Sequence, residues 1–239
     1  MGALPGAGLP EGEAKARAVR EMFDTIAPRY DLVNRIITFG LDRRWRRTAV
    51  DSLQLSSGSV VLDVACGTGD LCLELSSRAL RPVGIDLSIG MLTHARTAAP
   101  LVQTDALEMP FAPATFDGAI SGFALRNVVD LGGLFVELAR VVRPGGKISL
   151  LDVETPSNPL LRAGHSIYFG HVVPRVGSLL SDRDAYRYLP RSVAYMPPAE
   201  TTLSLLREAG FFNTQRKLLS GGITQLITAT RSPTQGATR

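Results

Sequence analysis

Val60-Val61-Leu62-Asp63-Val64-Ala65-Cys66-Gly67-Thr68-Gly69-Asp70-Leu71 passes from an apolar run, through a turn of small residues, into apolar positions at helical spacing. A short Val- and Leu-rich run ending in a glycine turn reads as a buried strand, and small residues let backbone approach a ligand beside the free N–H groups of the next helix. Similar apolar runs follow at 82–85, 116–120 and 147–151. Between them, 70–78, 88–98 behind Ser88 as a cap, and 132–142 stopped by Pro144-Gly145-Gly146 carry helical patterns. Strands alternating with helices imply right-handed crossovers and a doubly wound, mostly parallel α/β sheet.

Outward from this centre, residues 13–53 read as two or three helices, with Pro28 opening or interrupting one and Asp31 or Thr38 available as N-caps. On the other side, 155–198 holds six prolines and several aromatics. A structureless loop of that length is unusual inside a compact domain, so 156–199 is expected to be a helical insertion acting as a lid. A helix at 200–209 stopped by Gly210 and two apolar runs joined at Gly221-Gly222 then predict a C-terminal antiparallel hairpin. The expected organisation is a single domain over 13–231, its N-terminal helices at 13–55, with frayed tails at 1–12 and 232–239.

Composition narrows the function classes. With 239 residues, 45% hydrophobic and 20% charged, the chain suits one globular domain, and no apolar stretch approaches the roughly 20 residues of a membrane span. Cys66 and Cys72 are the two cysteines, so a disulfide framework is not expected and a reducing, cytoplasmic setting is. The three histidines, His94, His165 and His171, are scattered, so no metal site is expected. The net charge is +4, yet Arg43, Arg44, Arg46 and Arg47 crowd around Trp45. Such a run is commonly a solvated helix face; the sharper reading is attraction to an acidic surface, with lipid preferred because no nucleic-acid module is visible.

The glycine turn alone fits many nucleotide ligands. It lacks the Gly-Lys-Ser/Thr of a phosphate loop, and Asp63 at its mouth would repel a pyrophosphate. A cationic ligand fits better. S-adenosylmethionine carries a sulfonium and an ammonium that Asp63 and Asp70 can attract, with Gly67, Thr68 and Gly69 forming the turn itself. Asp86, ending the second strand, can accept hydrogen bonds from both ribose hydroxyls, and Asp105, followed by Ala106, can accept one from the adenine amino group. Taken singly, Asp86 can simply cap a helix and Asp105 a turn; carboxylates at successive strand ends together point to the cofactor.

These residues resemble the ubiquinone/menaquinone biosynthesis C-methyltransferase family. The likeness lies in Phe23-Asp24, Ile26-Ala27-Pro28-Arg29-Tyr30-Asp31-Leu32 and Asn34, in Gly40-Leu41-Asp42-Arg43-Arg44-Trp45, in Leu125-Arg126-Asn127-Val128, in Arg140-Val141-Val142-Arg143-Pro144-Gly145-Gly146 and in Tyr186-Arg187-Tyr188-Leu189. It implies a Rossmann-like class I methyltransferase fold: a seven-stranded, mostly parallel sheet with a C-terminal antiparallel hairpin and a helical lid. It also implies cofactor contacts at Thr68, Asp86, Asp105 and Ala106. The chain departs from the family pattern at Gly122 and Ala124, at Leu151-Asp152-Val153-Glu154 in place of Leu-Glu-Phe-Ser, and at Thr224-Gln225-Leu226-Ile227 in place of Val-Ala-Leu-His.

By resemblance, the reaction is methylation of a ring carbon of a demethylmenaquinol or related benzoquinol. A phenol with pKa of about 10 holds its proton at neutral pH, so something must remove it or stabilise the phenolate. Arg126 is the candidate for supplying positive charge, with Asn127 orienting the hydroxyl; the plainer alternative is that Arg126 pairs with a carboxylate such as Asp130. Tyr30 and Tyr188 are candidates for lining the acceptor pocket, against a plain packing role. An isoprenoid tail on the acceptor would bring the protein to the membrane surface, through Arg43 to Arg47 and through Tyr168, Phe169, Val172 and Val173 of the lid. The expected partners are thus the polyprenyl quinol and, transiently, the inner membrane face, with no nucleic acid; a homodimer is one assembly the reading allows. Two other readings stay open: the same chemistry on another small phenolic or lipid acceptor, and a non-catalytic cofactor-binding scaffold.

Overall fold

The computed structural model describes residues 12–173, 175, 192 and 195–233. Its centre is β1 (Val60–Val64), which pairs in parallel with β2 (Arg81–Asp86) on one side and β4 (Phe116–Gly122) on the other. A three-residue edge strand, β3 (Leu101–Gln103), extends β2, and β5 (Val142–Val153) extends β4. The hairpin strands β6 (Phe211–Leu219) and β7 (Thr224–Arg231) complete a seven-stranded sheet of order β3-β2-β1-β4-β5-β7-β6. Lying antiparallel to both neighbours, β7 is inserted between β5 and β6.

Helices cover both faces because successive strand residues point to opposite sides. On one face, Leu62, Val64 and Ile148 meet Leu134, Phe135 and Leu138 of α6 (Leu131–Val141) and Leu206 of the helix Ala199–Glu208. On the other, Val61, Ile120 and Leu226 meet Trp45, Ala49 and Leu53 of α3 (Leu41–Leu53) and Leu71 and Leu75 of α4 (Asp70–Ser76). Before them come α1 (Gly12–Ile26), a 3-10 turn holding Pro28, and α2 (Tyr30–Ile37). α1 packs on the short helix α5 (Ile89–Thr93), where the Asp24 carboxylate accepts bonds from the Ser88 hydroxyl at 2.6 Å and the Gly90 N–H at 2.8 Å. A Cβ on Gly90 would lie 2.7 Å from the Asp24 Cα, so the two helices touch backbone to backbone.

Several sequence expectations change. The helix expected over 88–98 ends at Thr93 because the chain turns back onto the glycine loop, where Arg96 donates its N–H to Thr68 O at 3.0 Å. Neither candidate N-cap is one: Asp31 lies inside α2, and Thr38 closes that helix, its hydroxyl donating to Asn34 O at 2.7 Å. Gly12, assigned to a tail, begins α1, and Ser232 donates its N–H to Gly210 O; residues 1–11 and 234–239 lie outside the described residues. Of the expected lid, α7 (Pro159–Ile167) begins at an Asn158 cap and continues as a π-helical stretch, Tyr168–Val172. Tyr188 and the side chains of Phe169 and Val172 lie outside the described residues.

Candidate active site

The glycine turn forces the chain through left-handed backbone. Gly67 has φ 56° with nothing within 4 Å of the place a Cβ would occupy, so its backbone faces open space. Gly69 has φ 85°, and a Cβ there would collide with Thr97 Cγ2 at 2.6 Å. From the end of β2, Asp86 reaches back to this turn: Oδ2 accepts the Gly67 N–H and Oδ1 the Ser88 N–H, each at 2.8 Å. Burial pushes its carboxyl up from the ordinary value, and the Ser88 and Gly67 N–H groups pull against that rise. Asp105, after β3, accepts the Leu107 N–H at 2.9 Å.

Gly67, Asp86, Asp105, Ala106 and Asn127 line one cavity of about 120 Å³, together with Ala16, Val19 and Phe23 of α1. The other four candidate cofactor residues, Asp63, Thr68, Gly69 and Asp70, do not line it. Asp63 sits in mid-strand, on the side of β1 that faces α4 rather than at the mouth of the turn; it is 0% exposed, and its Oδ2 accepts the Cys72 thiol at 3.3 Å. Its Oδ1 has no partner among the described residues. Burial pushes its carboxyl up to about 7, the Asp86 charge adding to the rise. The Cys72 thiol is itself pushed well up, first by a hydrogen bond with Cys66 and then by burial, so it stays protonated and donates. Thr68 turns inward and donates to Asp31 Oδ1 at 2.5 Å, tying the turn to α2, and Gly69 packs on Thr97. Asp70 pairs with Arg46 at 2.8 Å, and Arg46 also with Asp42 at 2.5 Å, which occupies the carboxylate expected to meet the ammonium.

A second cavity, of about 360 Å³, adjoins the first across Tyr30 and Phe123, which line both. Its walls come from α2, α3, the β4 exit, the β5 end, α7 and the start of β7, and they are mostly apolar: Ile37, Phe39, Leu41, Trp45, Val153, Leu160, Leu161 and Ile223. Trp45 and Phe123 meet at 6.1 Å between ring centroids, and the Arg46 guanidinium stands 5.8 Å from the Phe123 ring centre. Burial raises the Tyr30 hydroxyl's pKa, opposed by its bond with Asn34.

Arg126 also lines this cavity, held by a carboxylate other than the one considered from sequence. Its guanidinium pairs with Asp152 at 2.5 Å and donates to Phe123 O at 2.6 Å and Ser192 Oγ at 3.0 Å. Asp130 instead caps α6, accepting the Gly133 N–H. Sequence reasoning missed Asp152, Trp45, Arg46, Phe123, His165 and Thr224 as site residues. The one signal available for Asp152 was its place in the segment that departs from the family pattern. Burial lowers the His165 pKa, so its imidazole is neutral at pH 7.

The order β3-β2-β1-β4-β5-β7-β6, with β2 ending in a carboxylate that binds a glycine turn, is the Rossmann-like fold of class I S-adenosylmethionine-dependent methyltransferases. The residues fit that cofactor: the Asp86 oxygens keep accepting capacity beyond their backbone bonds, and Gly67 leaves open space for a ligand. Solved structures share the fold. The [4+2]-cyclase SpnF aligns with TM-score 0.65 and 16% identity over 95% of this chain and 99% of its own. Phosphoethanolamine N-methyltransferase 2 of Haemonchus contortus, in complex with S-adenosyl-L-methionine, aligns with TM-score 0.56 and 15% identity over 77% of this chain, which spans 52% of that longer one.

Residues 11–231 match the model of the ubiE/COQ5 methyltransferase family, and the chain belongs to that family. Among curated relatives, the ubiquinone/menaquinone biosynthesis C-methyltransferase UbiE of Syntrophotalea carbinolica is 42% identical over 89% of this chain and 94% of its own. The demethylmenaquinone methyltransferases of Roseiflexus sp. and Deinococcus radiodurans are 40% and 42% identical, over 92% and 87% of this chain and 96% and 90% of theirs. The protein is an S-adenosylmethionine-dependent methyltransferase.

Proposed function

We propose that this enzyme methylates a ring carbon of a demethylmenaquinol in quinone biosynthesis. The observation that carries the reading is the apolar cavity of about 360 Å³ that shares Tyr30 and Phe123 with the cofactor cavity, which sets a flat aromatic acceptor beside the methyl donor. The relatives named as acting on demethylmenaquinone support the choice of acceptor.

The bound cofactor supplies an electrophilic methyl group on a positively charged sulfur. The chain's own work is alignment and proton management. The Asp86 carboxylate holds the ribose and the Asp105 carboxylate the adenine, while Gly67 lets backbone approach the ligand. In the acceptor cavity, Arg126, fixed by Asp152, stabilises negative charge on the ring oxygen, and Asn127 on the adjoining wall orients the hydroxyl. The titratable or charged groups lining the acceptor cavity among the described residues are Tyr30, Asp42, Arg46, Arg126, His165 and Tyr168. Asp42 and both arginines are ion-paired, and the tyrosine pKa values are raised; neutral His165 is therefore the group suited to take the hydroxyl proton. The ring carbon would then take the methyl group as the sulfur–methyl bond breaks and its electron pair stays on sulfur; the ring carbon's own proton would pass to solvent, restoring the aromatic ring, and His165 would return its proton to the ring oxygen.

The acceptor's tail leaves by the rim. Phe39 and Leu160 line the cavity yet are 79% and 83% exposed, and Phe39 touches Tyr168 at 5.6 Å between ring centroids. Exposed Arg43 and Arg44 lie on the helix that follows Phe39. Among the described residues no helix is long and apolar enough to cross a membrane; the exposed rim and these arginines support a peripheral contact with an anionic membrane face.

Reduced 2-prenyl-1,4-naphthoquinol with labelled cofactor tests the reading. The expected product carries one new carbon-bound methyl by mass spectrometry and NMR. Methylation of another phenol in preference would favour the broader acceptor class, and absence of turnover with the quinol would overturn the acceptor reading. Anionic vesicles should retain the protein at low salt and release it at high salt; failure to bind at low salt removes the peripheral contact.

A further inference from the structure

Lys15 lies near the start of α1 and is 6% exposed. Lysine is rarely buried unless its ammonium is satisfied, and here two distant segments satisfy it. Its Nζ donates to Val128 O at 2.9 Å and stands 3.9 Å from the centre of the Tyr195 ring, whose face attracts a cation. Burial draws its pKa below the ordinary lysine value. Helix ends fray unless fastened, so this end of α1 is seated or loose according to those two contacts.

Both segments also serve the acceptor cavity. Val128 follows the 3-10 turn Leu125–Asn127 that carries Arg126, and Tyr195 comes three residues after Ser192, whose hydroxyl accepts the Arg126 Nε–H at 3.0 Å. Lys15 and Arg126 thus hold the same two pieces of chain, one from each cavity. On α1 itself, Ala16, Val19 and Phe23 line the cofactor cavity between two fastenings: Lys15 near one end of the helix, and Asp24, bonded to Ser88 and Gly90, near the other. A cofactor packed against those three residues favours the seated helix, and a seated helix brings the ammonium onto Val128 and Tyr195. We propose that Lys15 is a positioning residue that couples the two sites: cofactor occupancy, acting through α1, steadies the segments on either side of Arg126 and so tightens acceptor binding. Coupling between binding sites is reciprocal, so the acceptor tightens cofactor binding by the same factor. The inference rests on the reading of the larger cavity as the acceptor site.

The single tryptophan, Trp45, lines the acceptor cavity and reports binding without turnover. Quenching of its fluorescence by 2-prenyl-1,4-naphthoquinone would be measured with and without saturating S-adenosylhomocysteine, the demethylated cofactor, for the wild type, Lys15→Met, Lys15→Arg and Tyr195→Leu. In the wild type S-adenosylhomocysteine is expected to tighten quinone binding about fivefold, and calorimetry should show the quinone tightening S-adenosylhomocysteine equally. Lys15→Met keeps the stem without the charge and should bring that factor below about twofold, with quinone affinity in the absence of S-adenosylhomocysteine within about twofold of the wild type. Lys15→Arg restores a cation to the ring face and should keep about threefold or more, and Tyr195→Leu should fall between it and Lys15→Met. A merely structural lysine would lower the melting temperature of Lys15→Met and leave the factor at its wild-type value, which would overturn the proposal. So would wild-type quenching that S-adenosylhomocysteine does not change. If Lys15→Met fails to fold, an undiminished factor in Tyr195→Leu overturns the proposal by itself. Absence of quenching in the wild type, with or without S-adenosylhomocysteine, would instead overturn the acceptor reading on which the coupling stands.

Discussion

The two cavities meet at Tyr30 and Phe123 but are held together by different means. The cofactor cavity is tied by uncharged backbone donors: Gly67 and Ser88 give their N–H groups to Asp86, and Leu107 gives its own to Asp105. Around the acceptor cavity the charged side chains are spent on one another, Arg46 between Asp42 and Asp70 and Arg126 on Asp152. One cavity therefore keeps its carboxylates available to a ligand. The other presents an apolar surface whose charges are fixed before the ligand arrives, and preorganised charge of this sort stabilises developing charge without having to rearrange.

That contrast can be broken at its strongest point first. Arg126→Ala would leave the Asp152 carboxylate, 0% exposed, without its ion partner, and a loss of about 3–5 kcal/mol is expected in urea unfolding. Turnover should fall more than about threefold wherever the variant stays folded. A loss below about 1 kcal/mol would mean that the pair is not what fixes the acceptor wall.

Asp63 tests through pH the buried strand face that supports the glycine turn. Its folded pKa of about 7 lies above the ordinary 3.8, so its contribution to stability is fully present below about pH 4 and is lost as pH rises through about 7. Relative to the wild type, Asp63→Asn should gain about 4 kcal/mol at most between pH 4 and pH 8 in paired denaturation curves. A difference that does not change with pH would place Asp63 in a wetter setting than the buried strand face.

Smaller effects sharpen the division of labour. Asp86→Ala should weaken cofactor binding at least about tenfold by calorimetry while leaving quinone quenching of Trp45 within about twofold. If both ligands weaken together, the cavities are not separable. Tyr30→Phe keeps the shared ring and removes only the hydroxyl, so kcat/KM for the acceptor should change by less than about fivefold. A larger loss would give the Tyr30 hydroxyl a direct part in the chemistry.

The same contrast explains what could be read from sequence. The strand and turn over 60–71, and the nearness of Gly67, Asp86 and Asp105, were legible because a strand, its turn and the next strand end are local patterns; Asp63, Thr68, Gly69 and Asp70 of the same stretch do not line the cofactor cavity. β3 was not legible, since Leu101–Gln103 is too short to show a period. Asp63 was placed at the mouth of the turn although the strand itself was legible; strand alternation puts residue 63 on the face of Val61, toward α4 and the Cys72 thiol. The acceptor cavity gathers residues from position 30 to position 224, and its ion pairs join partners such as Arg126 and Asp152 that no periodicity connects. The Arg43 to Arg47 run divides in the same way: Arg46 is buried between two carboxylates, while Arg43 and Arg44 are exposed.

The backbone contact between α1 and α5 bears on how this corner can change over generations. With Asp24 Cα 2.7 Å from where a Cβ of residue 90 would stand, and its carboxylate bonded to both Ser88 and Gly90, no side chain can enter at position 90 while α1 stays in place. Ala16, Val19 and Phe23 on that same helix line the cofactor cavity, so a replacement of Gly90 would be inherited as a cofactor-binding defect despite lying outside the cavity wall. Positions 24, 88 and 90 are thereby coupled, and a change at any one of them is felt by the other two.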